Sequence, residues 1–347
     1  MVLGGKSNNK LVDYSIIFIA LVVLVLVLKT LQSFIRPFVI ALILTFLLMP
    51  VLRWSKKKNI SFGIIFSAII LVFVSFMILF AFLFSGYASS ISQSIPYYSQ
   101  QISQSGQNIY ELASKINIAE KNLNLNEFVN IEKISQVAVA LMQTVARNIG
   151  FVFGELFLVL LFLMFILPSH ARIIRYLEDD LESSNIKKFR SVLLKIEKSI
   201  RDYLFAKIHI SLGTALLSAI ILFAFNANFV IVLAVLIFAL NFIPNIGSLV
   251  AVAIALLSYA ITFGFTLNLL WLCILLVLVQ LIFGNIIEPK ITANKLSISP
   301  VVILLGLLFW GWVWGIIGML LATPLTCIMK IVLENIDATK KLAKYLG

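Results

Sequence analysis

Long apolar runs separated by short polar segments organise this chain of 347 residues. A hydrocarbon core of roughly 30 Å takes about 20 helical residues, and six runs come near that length: Tyr14–Ile35, Phe38–Leu52, Ser61–Phe84, Ile149–Leu167, Ile208–Phe225 and Leu267–Ile287. The first follows Lys6 and Lys10, is long for a signal-peptide core and lacks an evident cleavage site, so it reads as an uncleaved helix. Two further apolar stretches, 229–263 and 301–333, are too long for one straight crossing; the first would extend about 50 Å as a continuous helix. Something must break them. Pro244-Asn245-Ile246-Gly247 is the natural break in the first, and Gly311-Trp312-Val313-Trp314-Gly315 interrupts the second. A re-entrant helical hairpin with Pro244-Asn245 at its tip fits the length, and a bent single crossing competes. For the Trp-rich break an interfacial aromatic belt competes. Either choice returns the chain to the same side, so six spans plus two hairpins and eight spans have equal parity.

Two segments outside the apolar runs also show helical periodicity. Ile91, Ile95, Tyr98, Ile102, Ser105, Ile109, Leu112 and Ile116 alternate spacings of four and three, and Ile131, Ile134, Ala138, Leu141 and Val145 form a second stripe. A helical hairpin packed on its own subunit and a self-association surface are both open. The run from Lys187 to Tyr203 is a basic amphipathic helix with Phe189, Leu193, Ile196, Ile200 and Tyr203 on one face. Such a helix is expected to lie at the headgroup boundary, with a gating arm as the alternative.

Composition agrees with the pattern: 61% of residues are apolar and 12% charged, half the charged share of a soluble domain. The net charge of +12 sits in short connections rather than on one face, which argues for positive-inside topology and against nucleic acid. Arg53, Lys56, Lys57 and Lys58 place one short connection in the cytoplasm, and with it the N-terminus. Residues 86–148 then lie outside, their four basic residues matched by four acidic ones, whereas 169–207 return inside with nine Lys or Arg. Lys340, Lys341 and Lys344 keep the C-terminus cytoplasmic. The expected fold is an all-α integral membrane protein of about 6–8 transmembrane helices, with broken or re-entrant helices in its C-terminal half. Its expected divisions are 1–85 (three helices), 86–148 (external helices), 149–207 (fourth helix and amphipathic arm), 208–335 (transport core) and 336–347 (tail).

The polar run from Asn285 to Pro300 carries the candidate chemistry. Charged, helix-breaking backbone between membrane-grade segments is tolerated where it meets water, is buried in protein or lines a cavity. Glu288 is the sole acid between Asp202 and Glu334, placed to bind a cation or titrate, with an ion pair to Lys290 as the structural alternative. Asn241, Asn245 and Asn285 offer donors and acceptors to a polar solute, or oxygens to Na⁺. Pro244, Gly247 and Pro289 are candidate conformational residues, with Pro300, Gly311, Gly315 and Pro324 behind them. Gln280 is one more intramembrane amide, of the kind that often merely bonds a neighbouring helix. Catalytic motifs are lacking: the two histidines form no HExxH, and neither GxSxG nor a Walker-type loop is present. Cys273 and Cys327 make no CxxC pair, so no metal, cofactor or enzyme activity is expected.

Four motifs in order, Asn241-Phe-Ile-Pro244-Asn245-Ile-Gly247, Asn285-Ile-Ile-Glu288-Pro289-Lys290, Leu296-Ser-Ile-Ser-Pro300 and Gly318-Met-Leu-Leu-Ala-Thr-Pro324-Leu325, resemble the autoinducer-2 exporter-like (AI-2E) transporter family. The resemblance implies export of a small polar solute such as autoinducer-2, or Na⁺/H⁺ antiport. It further implies a homo-oligomer, with a pentamer as the candidate count, in the cell inner membrane, and an elevator-like or hairpin-gated mechanism. A structural or envelope-assembly protein working through residues 86–148 is the alternative of another class.

Overall fold

The computed structural model describes residues 5–75, 77–79, 82, 154–170, 172–174, 176–177, 184–244, 246–264, 266–292, 298–337, 339–343 and 346. The stripes expected within 86–148 lie outside these residues, as do Asn245 and residues 293–297. Among the described residues the regular structure is helical throughout: α1 (Gly5–Thr30), α2 (Gln32–Lys57), α3 (Phe62–Leu79), α4 (Gly154–Ile174), α5 (Ser184–Ala224), α6 (Val230–Leu240), α7 (Ile246–Phe263) and α8 (Leu267–Gln280). A π-helical segment, Leu281–Ile287, then leads into α9 (Glu288–Thr292), and α10 (Pro300–Asn335) and α11 (Lys340–Ala343) complete the chain. Six of these helical stretches are long and apolar enough to cross a membrane. The protein is an all-α membrane protein.

Two boundaries differ from the sequence reading. The chain breaks at Leu31, so Arg36 and Pro37 lie within α2; Arg36 makes a two-point ion pair with Glu155 of α4 (Nη2 to Oε2, 2.8 Å), which neutralises it inside the packing. The amphipathic arm and the span after it are one 41-residue helix, α5. On that arm Ile196, Ile200 and Tyr203 are buried in the protein, so most of the face expected to meet lipid is packed away, and Phe189 alone of its large apolar groups stays well exposed.

Packing divides the described residues into two units. One holds α1, α2 as far as Val51, α4, α5 as far as Arg201, and α10 with α11; the other holds the remainder of α2, α3, α5 from Asp202, and α6 to α9. The expected core 208–335 is therefore shared between them.

In the second unit Ala215 and Leu222 of α5, Leu233 and Ile237 of α6, Ala251, Val252, Ala255 and Tyr259 of α7, and Leu272 and Leu276 of α8 form one apolar cluster. The break in 229–263 falls after Leu240, at Asn241–Pro244, and α7 runs back along α6. Their approach is so close that a Cβ at Gly247 would stand 1.8 Å from the carbonyl oxygen of Leu240. In the first unit α10 doubles back on itself at Gly315, whose φ of 66° and ψ of −145° only glycine adopts readily. A Cβ at Gly318 would lie 1.9 Å from Trp310 O, and one at Gly306 2.3 Å from Thr326 Oγ1. Contacts between residues 20 apart require antiparallel arms, because a straight helix would hold them about 30 Å apart. The apex is tied to α1, where Trp314 Nε1 donates to Leu28 O at 3.0 Å and Lys29 lies over the Trp312 ring at 4.1 Å.

Candidate functional site

Helix α5 carries four polar residues, Lys207, Ser211, Thr214 and Ser218, at spacings of four, three and four, which places them on one face. All four are buried, and the same face is apolar before them (Ile200, Tyr203) and after them (Leu222). A polar stripe sealed inside an apolar helix needs partners. Two come from the elements that the sequence singles out.

The first is Glu288. Lys207, whose side chain is 1% exposed, donates from Nζ to Glu288 Oε1 at 2.5 Å. Glu288 is half-buried at the junction between the π-helical segment and α9. Its N–H bonds to Phe283 O, five residues back. The wide turn has a local cause in Pro289, which has no N–H and whose ring would press on the carbonyl four residues before it in an α-helix. The helix therefore widens ahead of the proline and continues to Thr292. The ion pair with Lys290, the structural alternative for Glu288, gives way to a different partner: Lys290 is exposed and Lys207 holds the carboxylate.

The second partner is Asn241, which closes α6 and is buried. Its Nδ2 donates to Ser211 Oγ at 3.0 Å, one turn along α5 from Lys207. Thr214 spends its hydroxyl proton on Ile210 O at 2.8 Å. The α6–α7 turn and the π-helical segment thus meet neighbouring turns of α5. Gly213 completes the fit, since a Cβ there would stand 2.6 Å from the Phe283 ring.

Of the predicted site residues, Asn241 and Glu288 come together through this stripe. Asn285, Pro289 and Lys290 are exposed and stay outside it. Pro244 and Gly247 frame the α6–α7 turn, whereas Pro300 (first turn of α10), Gly311 and Pro324 (within its arms) and Gly315 (its apex) belong to the other unit. Lys207, Ser211, Thr214 and Ser218 escaped the sequence reading. Lys207 counts there as one more cytoplasmic charge, although hydroxyls three and four residues apart after a lysine mark a helix face. Among the described residues no cluster of His, Cys, Asp or Glu is suited to hold a metal ion.

The Asn241–Ser211 bond is expected to contribute about 1 kcal/mol. A double-mutant cycle with Asn241→Ala and Ser211→Ala, read by denaturation in detergent, should give that coupling; additive losses would show that the two side chains act independently.

The family model described as AI-2E family transporter matches residues 16–338. The chain belongs to the AI-2E transporter family. The match runs from α1 to beyond α10 and so takes in both units. The chain is 30% identical over 336 residues to a Borreliella burgdorferi protein provisionally named for transport, covering 96% of this chain and 90% of the relative. It is 29% identical over 332 residues to the AI-2 transport protein TqsA of Escherichia coli K12, covering 94% and 93%. A Haemophilus influenzae relative, also provisionally named for transport, is 28% identical over 354 residues, with 98% of each chain covered. As an AI-2E family member the protein is a membrane transporter.

Proposed function

We propose that this AI-2E family transporter exports a small polar solute across the cell inner membrane as a homo-oligomer, a pentamer being the count to test, with both termini cytoplasmic. The observation that carries the reading is the Lys207–Glu288 pair, its lysine buried and its carboxylate half-buried, set one turn from the Asn241–Ser211 bond. An ion pair within apolar helices is expensive to bury and is characteristic of translocation pathways. The α6–α7 hairpin is read as re-entrant, with its turn at the α5 stripe; moving that turn off Ser211 while Lys207 and Glu288 separate would open the stripe to one side. Exposed Asn285 and Lys290 would receive solute at the mouth, and Asn245 is kept as a candidate ligand from its sequence motif alone. Autoinducer-2 is the first substrate to try, because a relative carries it in its name.

The carboxylate–lysine pair also favours a second reading, Na⁺/H⁺ antiport, in which cation and proton compete for Glu288. Sealed proteoliposomes separate the two. They are loaded with autoinducer-2 in one arm and given a Na⁺ gradient with an internal pH dye in the other. Efflux of autoinducer-2 without a proton signal, lost at least tenfold in Lys207→Gln/Glu288→Gln, supports the exporter (about tenfold per 1.4 kcal/mol of barrier). Na⁺-driven proton movement supports the antiporter. Wild-type rates in the double variant would remove the pair from either mechanism.

A further inference from the structure

We propose that Gln280 is a recognition residue for a neutral solute bearing adjacent hydroxyl groups, held beside the Thr214–Ser218 turn of α5; this rests on the reading above that the protein moves a small polar solute. Gln280 is the last residue of α8, immediately before the π-helical segment. Both of its amide atoms, Nε2 and Oε1, are sealed from solvent and have no hydrogen-bond partner among the described residues. Exchanging the two atoms in the amide would change nothing, since both are unpaired. Buried polar side chains are nearly always bonded, so an amide left open at both ends calls for an explanation.

The register of the neighbouring helix shows what lies beside it. Lys207 meets Glu288 and Gly213 lies against Phe283, so α5 and the α8–π helix run antiparallel. Stepping back from Phe283 to Gln280 is a step forward from Gly213 along α5, which sets Gln280 level with the turn Thr214–Ser218. Both of those hydroxyl residues are buried. Because Thr214 donates its proton to Ile210 O, its oxygen is left as an acceptor.

The chemistry of the amide then selects the ligand class. A cation would engage Oε1 and leave the N–H groups unmet, and an anion would do the reverse. Two hydroxyls on neighbouring carbons satisfy both, one donating to Oε1 and the other accepting from Nε2. Charge adds no preference for an ion, because Lys207 is already neutralised by Glu288.

The test uses the purified protein in proteoliposomes, with equilibrium binding and flux of radiolabelled erythritol, ribose, 1,3-propanediol, autoinducer-2 and Na⁺. Gln280→Leu has similar volume and removes both unpaired atoms, so it should melt no lower than wild type. It is expected to weaken whichever vicinal-hydroxyl solute the wild type binds by at least about tenfold, and to leave 1,3-propanediol, whose hydroxyls are not on neighbouring carbons, and Na⁺ unaffected. If Gln280→Leu keeps wild-type affinity while Lys207→Gln/Glu288→Gln loses flux, the inference is overturned and the transport reading stands. If the wild type binds and moves none of the hydroxylated solutes, both fall. A loss confined to Na⁺ would assign the amide to a cation and overturn the inference as well.

Discussion

Glu288→Gln alone is expected to destabilise the folded protein by about 3–5 kcal/mol, and the double variant Lys207→Gln/Glu288→Gln to recover most of that loss. The asymmetry follows from burial. Lys207 is 1% exposed and Glu288 faces it at 2.5 Å, so removing the carboxylate leaves an ammonium group away from water with its counter-ion gone. Removing both charges eliminates the desolvation cost along with the attraction, and two amides at that spacing can still share a hydrogen bond. Denaturant melts in detergent micelles, checked by size-exclusion profiles, measure the difference. A single variant costing under about 1 kcal/mol would mean that the pair is solvated like a surface bridge, and a site built around it would lose its basis. Because the double variant is expected to fold, any transport defect it shows reports on mechanism rather than on assembly.

Gly318→Ala and Gly247→Ala are expected to be the most damaging glycine substitutions, each at about 3 kcal/mol, the upper end of what overpacking usually costs. In both hairpins the returning arm places a glycine against a main-chain carbonyl of the outgoing arm. The added methyl would meet Trp310 O at 1.9 Å in one and Leu240 O at 1.8 Å in the other. A carbonyl held in a helix cannot rotate away as a side chain can, so the arms must separate. Gly63→Ala is the control, since a Cβ there meets nothing within 4 Å, and it should be neutral or stabilising by about 0.5–1 kcal/mol. Equal yields and melting points for all three would contradict the doubled-back arrangement of both segments.

The sequence located these devices better than it described them. Pro244 and Gly247, and Gly311 and Gly315, lie at or beside the two breaks, because a chain of apolar residues longer than the membrane must interrupt its hydrogen-bond ladder and few residues permit that. The sequence did not reveal that Gly315 forms the apex while Gly311 sits within the first arm, packed toward Met319. Likewise Pro289 announces a disturbance, but nothing local says that the helix answers it by widening rather than turning.

What the sequence by itself determined is therefore whatever depends on composition and length: a multi-span helical membrane protein, the places where its long runs must break, and an isolated carboxylate at Glu288. Its motifs also carried the AI-2E resemblance. Tertiary structure alone decided who meets whom. Glu288 pairs with a lysine 81 positions away rather than with Lys290 two positions on, and Asn241 reaches back 30 positions to Ser211. The amphipathic arm turned its apolar face into the protein, and a lysine that reads as one more cytoplasmic charge became the buried half of the site. The reason is the range of the forces. Apolar burial and main-chain satisfaction act along a segment and can be read from its residues, whereas the partner of a buried charge is whichever group the packing of distant helices brings within hydrogen-bonding reach.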